Sequence, residues 1–449
     1  MQVTETSNDG LKRELQIVIP AGELSEKLAQ KLEQVKGQVQ IKGFRPGKVP
    51  TSHIKKIYGK SMMAEIIQEA INDSSRDALV ERDERPALQP DIKLTEDQKE
   101  IDEIIDGKAD LSYSMSFEVL PPVDPMDFKS IKIERPVAKI DKDEIEKRLG
   151  ELVESSASYE GRDGREAQLD DQVKIDFVGS IDGENFDGGS AEDAPLVLGK
   201  GQFIPGFEEA LIGVKAGDER KVEVTFPEEY GAEHLAGKDA VFEVKVNEVG
   251  EPVLPEIDDE FAKKLGMESL DKLKEAIEGQ LKEQYQQYSD QKTKKVLLDV
   301  LNDGHSVDLP PTLVDREFDG IWKQVIDQLE RAEKTFEDEG KTEDDARTEY
   351  RDIAERRVRL GIVLSKIGED AKISVSEDEL KQGLMVQARQ FPGQEQQLYD
   401  FYQKNPAALT ELRAPIFEDK VVAYILELAD VSDKEISPEE LMKPDEDDE

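Results

Sequence analysis

The chain has 449 residues, more than one hydrophobic core usually serves, so three domains are expected rather than one. It has no cysteine, which excludes disulfides and thiolate chemistry. Its three histidines, His53, His234 and His305, are too scattered for a histidine metal site, so neither metal nor cofactor is expected. A net charge of −43, with 36% charged against 37% apolar residues, on average repels RNA and anionic membranes and suits long solvated helices, which confines any nucleic-acid contact to a local patch.

The N-terminal MQVTETSNDG lacks the basic-then-apolar order of a signal peptide, and no run of about 18 apolar residues follows, so a soluble cytoplasmic protein with no membrane partner is expected. Leu11, Leu15, Ile17 and Ile19 alternate with Lys12, Glu14 and Gln16, which predicts a strand. Leu24, Leu28 and Leu32 repeat every four residues toward Gly37, and Met62, Met63, Ile66, Ile67, Ala70 and Ile71 predict a second helix. Gly43, Pro46, Gly47 and Pro50 make the stretch between them a loop. Strict alternation of Leu111, Tyr113, Met115, Phe117 and Val119 closes a small α+β domain over 1–119. PPVDP at 121–125 opens a linker, 120–168, with a helix over 141–157 started by a capping box of Asp141 and Glu144.

Over 169–254 the texture becomes short β-rich runs, VKIDFVG at 173–179, RKVEVTF at 220–226 and AVFEVKVNEV at 240–249, separated by Gly, Pro and Asp turns. A compact antiparallel domain with a short helix is expected there. From 255 to 432 apolar residues recur at three and four, through Leu270, Leu273, Ile277, Leu281, Tyr285 and Tyr288, then from Leu313 to Leu329 after Pro310 and Pro311. Further helices start at Ser376, boxed with Glu379, and near Pro406. The polar segment NDGHS places His305 in an exposed loop, and residues 433–449, ending KPDEDDE, read as an acidic disordered tail. The fold class is multidomain α+β: a small α+β N-terminal domain, an antiparallel β domain, and an extended all-α C-terminal domain.

The strongest local anomaly runs from Gln34 to Ala64. Lys36, Lys42, Arg45, Lys48, Lys55, Lys56 and Lys60 lie there without a single Asp or Glu, inside a strongly acidic chain. Such a cluster gains counterion-release free energy on a phosphate backbone. At its centre GFRPGKVP, residues 43–50, makes a tight loop offering Phe44, Arg45 and Lys48 for stacking and phosphate contact. From charge alone, docking and mere solvation remain open. The string strongly resembles the ribosome-docking loop of bacterial trigger factors, and the resemblance covers the whole chain in domain order. Pro46 stands at the variable position, where the family often has lysine. The resemblance implies that Phe44, Arg45, Gly47 and Lys48 bind the large ribosomal subunit near the exit tunnel, through a ribosomal protein and rRNA.

Within 169–254, IDFVGSIDGENFDGG, LGKGQFIPGFEEALIGVKAGD and TFPEEYGAEHLAGKDAVFEV resemble FKBP-type isomerases. The resemblance assigns Phe177, Phe186, Asp187, Phe203, Ile204, Phe207, Tyr230 and Phe242 to the pocket of a peptidyl-prolyl isomerase, with Ala194 leaving one apolar pocket position small. The residue types suit that chemistry. Rotation about X–Pro crosses a barrier of roughly 18–20 kcal/mol without making or cleaving a bond, so an apolar cup that desolvates the amide and favours its twisted state is sufficient. Phe226 and Leu198 read as core. GKGQ at 199–202 and AGKD at 236–239 lack the spacing of a phosphate loop, and no HExxH occurs.

Tyr285, Tyr288, Trp322, Phe391, Tyr399, Phe401 and Tyr402 of the helical part are either helix–helix core or, as a group, the apolar patches of a cradle. The resemblance to trigger factors implies the cradle, holding nascent and unfolded polypeptides weakly, and leaves room for a weak homodimer. The rival reading is a stand-alone FKBP-type isomerase with a helical scaffolding or dimerisation extension.

Overall fold

The computed structural model describes residues 1–36, 49–162, 164–227, 230–232, 235–332, 334–338, 340–388, 393 and 395–444. The chain divides into two units, Met1–Arg135 with Gln291–Asp433, and Pro136–Asp290 with Lys434–Glu449. The N-terminal α+β segment therefore shares a unit with most of the helical segment.

Strands β1 (Gln2–Asp9) and β2 (Lys12–Ile19) form a hairpin turning at Gly10, followed by helices α1 (Ala21–Val35) and α2 (Thr51–Glu81), strand β3 (Asp91–Leu94), helix α3 (Gln98–Ile105) and strand β4 (Leu111–Glu118). The sheet is antiparallel in the order β1-β2-β4-β3, with Leu15 opposite Met115 and Ile17 opposite Tyr113. Those four side chains are buried in one core with Leu24, Leu28 and Leu32 of α1 and Met63, Ile66 and Ala70 of α2. Period-2 strands and a period-4 helix stripe thus meet on one face. β1 carries no such pattern, because Val3 is the one apolar residue in QVTETSND; it is an exposed edge strand held by its backbone ladder.

Strand β5 (Lys132–Val137) and helix α4 (Lys142–Ser155) follow. The Asp141 side chain caps α4 by accepting the Glu144 N–H at 2.9 Å. The other half of the expected box is absent, since the Glu144 carboxylate accepts the Tyr285 hydroxyl instead. Strands β6 (Ser158–Gly161), β7 (Gln172–Ile181) and β8 (Glu184–Val197), helix α5 (Phe207–Ala210), and strands β9 (Glu219–Thr225) and β10 (Asp239–Val253) build an antiparallel sheet in the order β6-β10-β7-β8, with β9 also on β10. Val173, Ile175, Val244 and Val246 face a core closed by Phe207 and Leu211. β8 is an edge strand whose ENFDGGSAEDAPLV has no apolar alternation, and its register shifts twice against β7.

Helices α6 (Asp259–Lys264), α7 (Leu270–Gly304), α8 (Pro311–Arg331), α9 (Glu343–Asp370), α10 (Glu377–Ala388), α11 (Glu395–Lys404) and α12 (Pro406–Leu428) are followed by strand β11 (Asp430–Glu435) and helix α13 (Pro438–Met442). In the first unit Leu297 and Leu301 of α7, Val363 and Ile367 of α9, and Val421 and Ile425 of α12 enclose Ile131 and Ile133. In the second, Leu149 and Val153 of α4 pack with Leu273, Ile277, Leu281 and Tyr285 of α7 and with Leu441. This core is separate from that of the β6–β10 sheet. Ser376 and Glu379 form a reciprocal box at α10: Ser376 N–H donates to Glu379 Oε2 at 2.7 Å, and Glu379 N–H to Ser376 Oγ at 3.3 Å.

Two further expectations are corrected. His305 is buried, and its ring satisfies two backbone groups: its Nδ1–H donates to the Leu301 carbonyl at 2.7 Å and its Nε2 accepts the Met126 N–H at 3.2 Å. The tail expected from residue 433 is ordered further along. β11 pairs with β5, and α13, capped by Ser437, buries Leu441 completely because SPEELM carries a cap and an apolar anchor among its charges. Residues 445–449 of that stretch lie outside the described residues.

Candidate functional site

Seven aromatic rings gather on the inner face of the β6–β10 sheet. Phe177 leaves β7 and Phe242 leaves the facing part of β10, with ring centroids 6.0 Å apart. Phe207, at the start of α5, lies edge-on to Phe242 at 5.2 Å and stacks on Phe203 at 4.9 Å. Phe186 of β8 meets Phe242 at 6.0 Å and Phe226 at 5.8 Å, and Phe226 carries Tyr230 at 4.7 Å. Phe207, Phe242, Phe177 and Phe226 are buried, Phe186, Phe203 and Ile204 are half-buried, and Tyr230 is 39% exposed. The rings form a floor and a lip, one end dry and the other wet. The predominantly edge-to-face contacts are the arrangement that ring quadrupoles favour.

The backbone must come close to admit so many rings. A Cβ at Gly179 would stand 2.6 Å from the Phe242 ring and 2.9 Å from that of Phe186, so β7 needs glycine there. Gly206, with φ +89°, lets the chain turn into α5 directly beneath Phe207.

The structure thus brings together Phe177, Phe186, Phe203, Ile204, Phe207, Tyr230 and Phe242. Asp187 follows Phe186 on β8, with its side chain outside the described residues, as is the whole of His234. Phe226, assigned to the core, is buried there but also joins Phe186 to Tyr230. A concavity of about 860 Å³ shares Phe177 with this cluster but is otherwise lined chiefly by charged residues of β7, β8, β9 and β10, including Asp176, Glu192, Glu219, Lys221, Glu243 and Lys245. It lacks the apolar cup that amide rotation calls for.

One residue of the site carries no sequence signal of its own. Glu208 is buried, and its carboxylate accepts four backbone N–H groups: Gly199 at 2.8 Å and Gly201 at 3.0 Å on Oε2, Gln202 at 2.6 Å and Phe203 at 3.0 Å on Oε1. Burial pushes its pKa up, but the four donors together outweigh burial and hold it below the usual carboxylate value.

Phe44, Arg45, Gly47 and Lys48 lie outside the described residues. Of the same cationic run, Lys55, Lys56 and Lys60 are exposed on α2 together with Ile57 and Tyr58, while Lys36 pairs with Glu33 at 2.8 Å. Among the helical aromatics, Tyr399 and Phe401 of α11 are exposed, as are the apolar side chains of Met385 and Val386 on α10. Trp322 is sandwiched by Phe318 at 5.7 Å and Phe336 at 5.2 Å, and Tyr285 is core. Phe391 lies outside the described residues. No helix among the described residues is long and apolar enough to cross a membrane.

Three family models match most of the chain: "Bacterial trigger factor protein (TF)" over residues 1–152, "FKBP-type peptidyl-prolyl cis-trans isomerase" over 163–247, and "Bacterial trigger factor protein (TF) C-terminus" over 269–427. The trigger factor of Brucella abortus (strain S19) is 52% identical over 441 residues, 98% of this chain and 93% of that one. That of Parvibaculum lavamentivorans is 53% identical over 442 residues, 98% of this chain and 86% of that one. A solved structure of the trigger factor chaperone, 23% identical, superposes with a TM-score of 0.54 over 95% of this chain and 99% of that one, a likeness of fold. Matches on both sides of the isomerase segment favour the three-part reading over a stand-alone FKBP. The chain belongs to the trigger factor family and carries an FKBP-type peptidyl-prolyl isomerase domain.

Proposed function

We propose that this chain works in the cytoplasm as a chaperone docked on the large ribosomal subunit, where it holds nascent polypeptides and isomerises their X–Pro bonds. The observation that carries the docking is the run 34–64, seven cations without a carboxylate in a chain of net charge −43. Exposed Lys55, Lys56 and Lys60 on α2 extend the charge of the Phe44, Arg45, Gly47 and Lys48 loop toward phosphates. Holding is assigned to exposed apolar side chains such as Met385, Val386, Tyr399 and Phe401, which bind extended chains weakly and without a motif. A weak homodimer through the same kind of contact belongs to this reading.

For isomerisation, Phe177, Phe207 and Phe242 form the floor that takes the prolyl ring, and Phe186, Phe203, Ile204 and Tyr230 form the lip that excludes water from the rotating amide. Asp187 is included on its place beside Phe186. Desolvation removes hydrogen bonds that favour the planar amide and so lowers the barrier to its twisted state.

Co-sedimentation with purified ribosomes tests the docking. The parent chain should pellet with ribosomes and release as salt rises, whereas Phe44→Ala, Arg45→Ala and Lys48→Ala combined should stay in the supernatant. A triple variant that pellets like the parent contradicts the assignment.

A further inference from the structure

The loop Gly199–Phe203 is wrapped around a single carboxylate, and that loop ends in a residue of the aromatic lip. Phe203 N–H is one of the four donors to Glu208, while the Phe203 ring stacks at 4.9 Å on Phe207, the chain neighbour of Glu208. Backbone and ring of Phe203 are therefore both referred to the start of α5. Four N–H groups converge on one side chain because Gly199 and Gly201 adopt φ +88° and +65°, where other residues would be strained.

We propose that Glu208 is a positioning residue for proline isomerisation: by gathering the Gly199–Phe203 backbone it sets the separation of Phe203 and Phe207, and with it the width of the cup. The proposal rests on the isomerase domain and on the placing of Phe203 in its pocket. A carboxylate has four lone-pair sites and no hydrogen, which matches four converging donors. An amide at the same place keeps one acceptor oxygen and turns an NH2 group toward two N–H groups, so half of the loop loses its partner and must move. A misplacement of about 1 Å in a preorganised site costs up to roughly 100-fold in rate.

The test uses the full chain and a short Phe-Pro peptide. Glu208→Gln should fold, keep the KM of the parent within about twofold, and lose roughly 10- to 100-fold in kcat. The amide proton resonances of Gly199 and Gly201 should move upfield as the charged acceptor is lost. Glu208→Asp, which keeps the charge but is one methylene short, should fall between parent and Glu208→Gln. Glu209→Gln makes the same chemical change on the exposed neighbouring side chain and should leave activity unchanged.

A folded Glu208→Gln chain with parental kcat overturns the proposal, as does upfield movement of the two glycine amides without a change in rate. Loss of folding in both Glu208 variants would assign the residue to the fold alone and overturn it equally. Failure of the underlying reading is distinguishable: an inactive parent removes the isomerase, and a fully active Phe203→Ala chain removes Phe203 from the pocket.

Discussion

The Glu118 carboxylate caps helix α8 across 194 residues of sequence: its Oε2 accepts both the backbone N–H of Thr312, at 3.0 Å, and the Thr312 hydroxyl, at 2.5 Å. Pro310, which precedes the helix, offers no side-chain cap, so the last residue of β4 does what a local Ser or Asp does elsewhere. Glu118 is buried, and its Oε1 has no hydrogen-bond partner among the described residues. Glu118→Ala should therefore lower stability by about 1–2 kcal/mol. It should also speed amide exchange at Thr312 and its neighbours while leaving β2 protected. Unchanged exchange at the start of α8 would mean that the contact caps nothing.

Phe207 and Tyr230 separate stability from catalysis. Phe207 is fully buried, and Phe207→Ala should cost about 3–5 kcal/mol as well as most isomerase activity. Tyr230 is exposed and rests on Phe226, so Tyr230→Ala should cost less than about 1 kcal/mol. On the proposed assignment of Tyr230 to the lip, the change also removes a ring contact to the prolyl group worth about 0.5–1.5 kcal/mol, or roughly 2- to 10-fold in kcat/KM. Chemical denaturation and peptide isomerisation measured on the same samples check the division. A Tyr230→Ala chain that isomerises at the parental rate would take Tyr230 off the lip.

Acid should release helix α10 late. The Lys420 ammonium, the Ser376 N–H and the Ser376 hydroxyl hold the Glu379 pKa down at about 2, against an ordinary value of 4.5. A depressed carboxyl contributes stability that is complete above its unfolded value and is lost as pH falls through its folded one. The box at Ser376 should thus persist below pH 4.5 and open near pH 2. Carboxyl carbon NMR of Glu379 reads this directly, and a midpoint near 4.5 would deny the Lys420 contact in solution. Lys420→Gln should raise the midpoint.

Legibility in the sequence followed periodicity. β2, β4 and α1 announce themselves because each buries one face, whereas β1 and β8 are edges whose ladders place no demand on side chains. α13 is short enough that its single anchor, Leu441, is lost among charges. The aromatic cup was visible because ring residues at spaced positions match an isomerase pattern. Glu208 was invisible because one Glu among 103 acidic residues signals nothing. Only the convergence of four distant-looking N–H groups makes it special. The sequence leaves Tyr285 open between helix–helix core and cradle; it is buried with its hydroxyl on Glu144, a pairing no local pattern encodes.

The central claim is that holding and isomerising reside in different parts of the chain. Gly161 pairs with Gly250 where β6 meets the end of β10, so residues 163–249 enter and leave between adjacent backbone positions. The core they enclose is separate from that of α4, α6 and α7. Adjacent ends make a domain removable. Replacing 163–249 by a short Gly/Ser linker should leave a folded protein with no isomerase activity. Light scattering of a denatured client diluted into this protein, into the parent and into the isolated 163–253 segment at equal molarity decides the matter. Suppression of aggregation by the excised protein at close to the parental level, with little from the segment, is the predicted result. Suppression that travels with the segment and is missing from the excised protein would contradict the account.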